Sequence, residues 1–329
     1  MKSISIHVLV LAATILVSQA AGLAVLVPAY FAPDSVYWTQ LSTAARRVPL
    51  VAIANIFNGP GTETAPRVDY LQAIRSVQTS GGQVIGYVYS GYGSRATNIV
   101  KADMLKWQQF YSVDGFFIDE MANTATTANL DYYTSLSGYA RSLKTNCLTV
   151  GNPGANTAEA FRARNTADVL TIFEGDTSYA NFTPNAWTQK YPPYQFANLL
   201  YGIATATAMQ TNLNLAITRN AGHIYITDDI LDNPWDTLPT YWTQEIAAVE
   251  SINQAAARQT PPNLSITSIN LTSAATINSQ GAPGLYVLET GFPAQWTPLA
   301  TNLTATGSIN WPVTNLSLNS NDIFRARQP

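Results

Sequence analysis

Two apolar segments of this 329-residue chain run directly into carboxylates. Residues 113–120, Val-Asp-Gly-Phe-Phe-Ile-Asp-Glu, end on Asp119 and Glu120, and the segment from Asp168 through Phe173 ends on Glu174. An acid lifted to the end of a buried strand is costly to leave unpaired, so it belongs in a cleft where it binds a ligand or moves a proton. Two such acids facing one another could cleave a glycosidic bond. One carboxyl protonates the leaving oxygen and the other attacks or activates water, at about 5–5.5 Å separation for retention and about 6.5–9.5 Å for inversion.

The elements that must carry these acids alternate. Strand patterns are read at Leu23–Tyr30, Leu50–Phe57, Gln83–Tyr89, Gly115–Asp119, Leu148–Gly151, Val169–Phe173, Phe196–Tyr201 and His223–Thr227. Between them, apolar residues recur at three- and four-residue spacing over Val68–Gln78, Ala102–Tyr111, Leu130–Leu143, Ala158–Arg164, Ala204–Ile217 and Trp242–Ala255, the period of amphipathic helices. Eight strand–helix units in some 235 residues predict an α/β protein with a (β/α)8 TIM barrel over residues 22–256. A doubly wound open sheet is the rival architecture.

A barrel builds its site from the carboxyl ends of its strands, so the site can be read from the strand limits. Asp119, Glu120 and Glu174 are the candidate catalytic residues, with Asp119 as nucleophile or stabilising carboxylate and Glu174 as general acid/base. Tyr30, Asn55, Asn58, Tyr87, Tyr89, Asn152 and Asp228 lie at the other strand ends and are the candidate substrate-binding residues. Rings stack on sugar faces, and Asn and Asp bind hydroxyls. Successive side chains of a strand point to opposite faces, so Asp119 and Glu120 cannot both face the axis unless the strand has ended. The bland alternative is that a strand-end acid such as Asp176 or Asp229 only caps the next helix or pairs with Arg. Asp119, Glu120, Glu174 and Asp228 could also ligate a hard cation. No His-x-x-x-His spacing occurs and only His7 and His223 exist, so no metal and no cofactor are expected. No Gly-x-Ser-x-Gly elbow marks a serine nucleophile.

Charged residues make up 11% of the chain and the formal net charge is −3, without a Lys/Arg cluster. Nucleic acid, whose phosphates demand a basic face, is not an expected partner. Lys2, the apolar run Ile4–Val17 and the small-x-small site Ser18-Gln19-Ala20 predict a secretory signal peptide over residues 1–21, hence a secreted, extracellular protein with no membrane association after cleavage. Cys147 is the single cysteine, so the fold stands on its core rather than on disulfides. Residues 257–262, with Pro261-Pro262, read as a linker, and residues 263–329 as a small all-β, sandwich-like module. Trp296 and Trp311 lie there. Nothing suggests more than a monomer.

Several motifs, in order, resemble the spherulin-4 family: Val27-Pro28-Ala29-Tyr30-Phe31, Asn55-Ile56-Phe57-Asn58-Gly59-Pro60-Gly61, Gly86-Tyr87-Val88-Tyr89, Gly115 to Glu120, and Thr227-Asp228-Asp229 with Asp232 to Pro239. The resemblance spans Leu23 to about Ala256. It implies a (β/α)8-barrel glycoside hydrolase acting on galactosaminogalactan, an α-1,4-linked polymer of galactose and N-acetylgalactosamine, or on Pel-like exopolysaccharide. It places the family's acidic pair on Asp119 and Glu120 and its later glutamate on Glu174. The expected function is therefore endo-acting hydrolysis of an N-acetylgalactosamine-containing polysaccharide. A non-catalytic glycan-binding, matrix or coat protein on the same barrel is the alternative.

Overall fold

The computed structural model describes residues 22–259 and, beyond them, the backbone of six strands between 265 and 327; side chains are described for residues 22–256. The expected leader over residues 1–21 lies outside the described residues. The chain divides into two compact units at Ala257/Arg258.

The first unit is a closed parallel barrel of eight strands: β1 (Ala24–Ala29), β2 (Leu50–Ala54), β3 (Gln83–Tyr89), β4 (Gly115–Asp119), β5 (Leu148–Gly151), β6 (Val169–Gly175), β7 (Phe196–Leu200) and β8 (His223–Ile226). Closure is made where Ala24 and Val25 of β1 pair with His223 and Ile224 of β8, which removes the open-sheet rival. The strands are short, almost wholly buried apolar runs, as expected of a parallel sheet covered on both sides.

Helices α1 (Val36–Ala45), α2 (Val68–Thr79), α3 (Thr97–Tyr111), α4 (Thr127–Leu143), α5 (Glu159–Ala163), α6 (Ala206–Thr218) and α7 (Trp242–Gln259) follow seven of the strands. Each buries one stripe, as α3 does with Val100, Met104, Trp107 and Tyr111. The packing is close enough to dictate residue choice. A Cβ at Gly86 of β3 would lie 2.6 Å from the Trp107 ring, so only glycine admits the indole, whose N–H donates to the Tyr87 carbonyl at 2.8 Å. Helix α1 is absent from the sequence reading, although Ser35 caps it by accepting the Tyr37 N–H and Trp38, Leu41 and Ala44 form its buried stripe.

The eightfold alternation is broken once. Between β6 and β7 the chain makes three short 3₁₀ turns, Thr177–Asn181, Ala186–Lys190 and Pro193–Gln195, instead of an α-helix. Pro184 and the Pro192-Pro193 pair deny this segment the N–H groups and the dihedral freedom a helix needs.

Helix α7 continues to Gln259, so the first residues of the expected linker are helical, and the rest of it is outside the described residues. In the second unit β9 (Ser265–Leu271), β10 (Ala275–Gln280) and β13 (Ser308–Val313) form one antiparallel sheet in the order β13-β10-β9. Strands β11 (Gly284–Phe292), β12 (Gln295–Thr304) and β14 (Ile323–Arg327) form another in the order β12-β11-β14. The sandwich-like packing expected of this module, and the side chains of Trp296 and Trp311, lie outside the described residues.

Candidate active site

The barrel brings Asp119 and Glu174 together through one side chain. Asn152, which follows β5 and is 6% exposed, donates from Nδ2 to Asp119 Oδ1 at 2.7 Å and to Glu174 Oε2 at 2.6 Å. Both oxygens reach one nitrogen, so they can be no further apart than the two bonds laid end to end, about 5.3 Å. Asn152 was expected to bind substrate. Its donor is spent instead on bridging the two acids, and its buried Oδ1 is left without a partner.

Each acid reaches this meeting point by a departure from regular strand geometry. Strand β4 ends at Asp119, and Glu120 takes φ +50, so strand alternation no longer ties the two side chains to opposite faces. A non-glycine residue in the left-handed region costs on the order of 1–2 kcal/mol, and the surroundings hold it there. Ser90, fully buried, gives its N–H to the Asp119 carbonyl at 2.9 Å and its Oγ–H to the carbonyls of Asp119 and Glu120 at 3.0 and 2.7 Å. With that proton committed, the Tyr133 hydroxyl is left to donate to Ser90 Oγ at 3.0 Å while accepting the Ala122 N–H at 2.8 Å.

On β6 the ladder slips. Thr171 pairs with Ala197 of β7, Phe173 with Asn198, and Glu174 with Leu199, so Ile172 is an extra residue. The bulge returns Glu174 to the face of Thr171 and Ala197, a device that re-aims side chains beside active sites. The Glu174 N–H donates to the Gly154 carbonyl at 2.9 Å. Gly154 sits at φ +61, and a Cβ there would press within 3.4 Å of Glu174 Cβ.

The electrostatics separate the acids. Burial first, and then the Asp119 charge, push the Glu174 carboxyl up to about 7, against the opposing hydrogen bond from Asn152. Glu174 is therefore balanced between protonated and charged near neutral pH. Burial first, and then the Asp119 carboxylate, hold the Tyr87 phenol well above the ordinary range. Tyr30 is raised for the same reasons, burial leading and Asp119 second. The two rings meet edge to face at 5.7 Å, and Tyr87 stacks on Phe117 below. The Glu120 carboxylate accepts no hydrogen bond among the described residues and is partly exposed at the mouth.

The other expected binding residues are placed differently. Tyr89 lies in register with Asp119, with the Arg95 guanidinium 4.0 Å over its ring. Asn55 is turned to its own loop, accepting the Gly59 N–H at 3.0 Å, and Asn58 is exposed at φ +48. Asp228 is occupied by Thr240, whose N–H and hydroxyl both donate to its carboxylate. Trp235, from the Asp232–Pro239 motif, accepts the Tyr30 N–H at 3.1 Å and fastens that loop to β1.

Two features of this end of the barrel escaped the sequence reading. Glu245 of α7 is fully buried, accepts the Ile226 N–H at 3.1 Å, and is raised well above the carboxylate range by burial, with Asp228 adding to the shift. Only its place at the start of an otherwise apolar helical stripe hinted at this. Tyr92, in Gly91-Tyr92-Gly93, is 68% exposed at φ +54. The paired glycines were the available signal.

The fold recurs among solved carbohydrate-related structures. Aspergillus clavatus Sph3 in complex with GalNAc superimposes with a TM-score of 0.61 at 20% identity, over 70% of this chain and 99% of that one. Alpha-L-fucosidase isoenzyme 2 from Paenibacillus thiaminolyticus matches at a TM-score of 0.52 and 12% identity, over 74% and 51% of the two chains. Spherulin-4 of Physarum polycephalum is 28% identical over 240 residues, 69% of this chain and 70% of the relative. The model of Spherulation-specific family 4 matches residues 24–249, the whole described barrel but the end of its last helix, and the chain belongs to that family.

Proposed function

We propose that this protein is a glycoside hydrolase that cleaves its substrate with Asp119 and Glu174. The observation that carries the reading is the Asn152 bridge, which holds two acids of unlike character within about 5.3 Å of each other. That upper limit on their nearest oxygens suits the retaining geometry, about 5–5.5 Å between carboxyl groups, better than the inverting one of about 6.5–9.5 Å. Protonated Glu174 gives its proton to the glycosidic oxygen as the bond to the leaving sugar breaks. Asp119, oriented by Asn152, attacks the anomeric carbon. Glu174, now charged, takes a proton from the water that releases the sugar from Asp119. Glu120 and the rings of Tyr30 and Tyr89 are left to hold the substrate.

The substrate in this reading is an N-acetylgalactosamine-containing exopolysaccharide, α-1,4-linked, of the galactosaminogalactan or Pel type, cut internally. The family membership and the GalNAc held by the similar Sph3 structure support it. Export behind the leader over residues 1–21 and action as a monomer belong to the same proposal. Incubating the protein with galactosaminogalactan, Pel and other hexosamine polymers tests it. New reducing ends, lost in Glu174→Gln, are the expected outcome; saturable binding without cleavage, unchanged in that variant, would establish a glycan-binding protein instead.

A further inference from the structure

Next to the acid pair, the loops after β3, β4 and β5 and the first turn of α4 border an open cleft of about 320 Å³ that none of the catalytic side chains lines. Its walls are Tyr92, Met121, Asn123, Thr124, Asn129 and Pro153, with Ala122. The volume lies at the lower end of the roughly 300–1,000 Å³ typical of small-ligand pockets, room for one sugar ring rather than a run of them. We propose that this cleft is a subsite for one uncharged sugar residue of the polymer, with the Tyr92 ring as its stacking platform. The inference rests on the glycosidase reading and adds to it the place and chemistry of a second sugar.

Tyr92 is the feature that calls for a ligand. A large aromatic residue stands in the left-handed backbone region, 68% exposed, and its ring meets no other ring and no cation among the described residues. Strain of this kind persists where the surrounding structure fixes it and clusters at ligand clamps. Here the fixing is visible. The Tyr92 N–H donates to the Glu120 carbonyl at 2.7 Å, and the Gly93 N–H to the Ser90 carbonyl at 3.1 Å. The same Ser90 latches Asp119 and Glu120, so the tyrosine is set on the backbone that positions the catalytic acids.

The rest of the cleft suits a pyranose without charge. Met121, Ala122 and Pro153 give an apolar wall for a sugar face, and Met121 is tied to the bridging residue, its N–H donating to the Asn152 carbonyl at 3.0 Å. Asn129 is anchored through Nδ2 to the Thr124 carbonyl at 2.8 Å, which orients its amide, while Asn123 Nδ2 makes no hydrogen bond among the described residues. Those amides and the Thr124 hydroxyl can meet hydroxyl or acetamido groups. No lining residue is charged, so a free amino sugar would enter without a carboxylate to neutralise it.

The test measures binding in the absence of turnover. Glu174→Gln and the double variant Glu174→Gln/Tyr92→Ala are titrated calorimetrically with N-acetylhexosamine oligosaccharides of increasing length and with their de-N-acetylated counterparts. A loss of roughly tenfold in affinity for the longer neutral chains, restored by Tyr92→Phe and absent for the monosaccharide, is expected. Equal binding of all lengths by the two proteins overturns the subsite, as does a preference for the de-N-acetylated chains. Cleavage by the parent alongside an unaffected Tyr92→Ala variant would remove the subsite and leave the glycosidase reading intact. Neither binding nor cleavage by any of the proteins would remove both.

Discussion

Strands β4 and β6 each carry an acid at both ends, and the two ends treat their acids in opposite ways. At the amino-terminal end Asp114 receives the Val84 N–H and Gln78 Nε2, both at 2.9 Å, and Lys144 Nζ at 2.7 Å. Asp168 receives the Thr149 N–H at 2.8 Å, the Thr149 hydroxyl at 2.7 Å and Arg141 at 2.9 Å. Burial alone would raise the Asp168 carboxyl, but these donors outweigh it and hold it below the ordinary range. At the mouth, by contrast, no Lys, Arg or His among the described residues pairs with Asp119, Glu120 or Glu174. Glu174 rises to about 7. One end uses carboxylates to fasten strands to neighbouring loops and helices. The other leaves them without basic partners, with Glu174 balanced between its two protonation states near neutral pH, at the end where this barrel builds its sites.

Substitutions at the two ends should therefore separate rate from stability. The largest effect is expected from Glu174→Gln, which removes the proton donor and should lower hydrolysis by on the order of 10²–10⁴-fold, measured as reducing ends per unit time. The same variant should be more stable than the parent at alkaline pH. The folded state holds the Glu174 proton up to about 7 and the unfolded state releases it near 4.5, so the parent loses stability as pH climbs between those values. The full difference, on the order of 3 kcal/mol, should appear in denaturant melts at pH 8 and vanish at pH 4. Asp168→Ala at the opposite end should cost about 1–3 kcal/mol by stranding the Thr149 N–H, with kcat unchanged within a factor of a few; a rate loss as deep as that of Glu174→Gln would erase the contrast. The mildest effect belongs to pH alone: hydrolysis by the parent should decline as pH rises through about 7, where Glu174 gives up its proton.

Much of this division could be read from the chain. Asp114 and Asp168 precede apolar runs, while Asp119 and Glu174 close them, and the limits of β3, β4 and β5 coincide with the read patterns because Gly, Asn and Asp punctuate them. What the pattern could not carry were the local irregularities. Nothing in Val-Leu-Thr-Ile-Phe-Glu announces a bulge at Ile172, yet the bulge decides which face Glu174 occupies. The bridging role of Asn152 needs three successive strands, β4, β5 and β6, brought side by side, a tertiary fact. Asn55 and Asp228 are polar residues at strand ends, and their types do not distinguish a substrate contact from a bond to a neighbouring loop.

The central claim, that Asp119 and Glu174 form one coupled pair across Asn152, is tested most directly by titrating carbon-13-labelled glutamate carboxyls by NMR in the parent and in Asp119→Asn. The account predicts one glutamate titrating near 7, assigned by its loss in Glu174→Gln, that moves down when the Asp119 charge is removed. A Glu174 that titrates near 4.5, indifferent to Asp119, would contradict it.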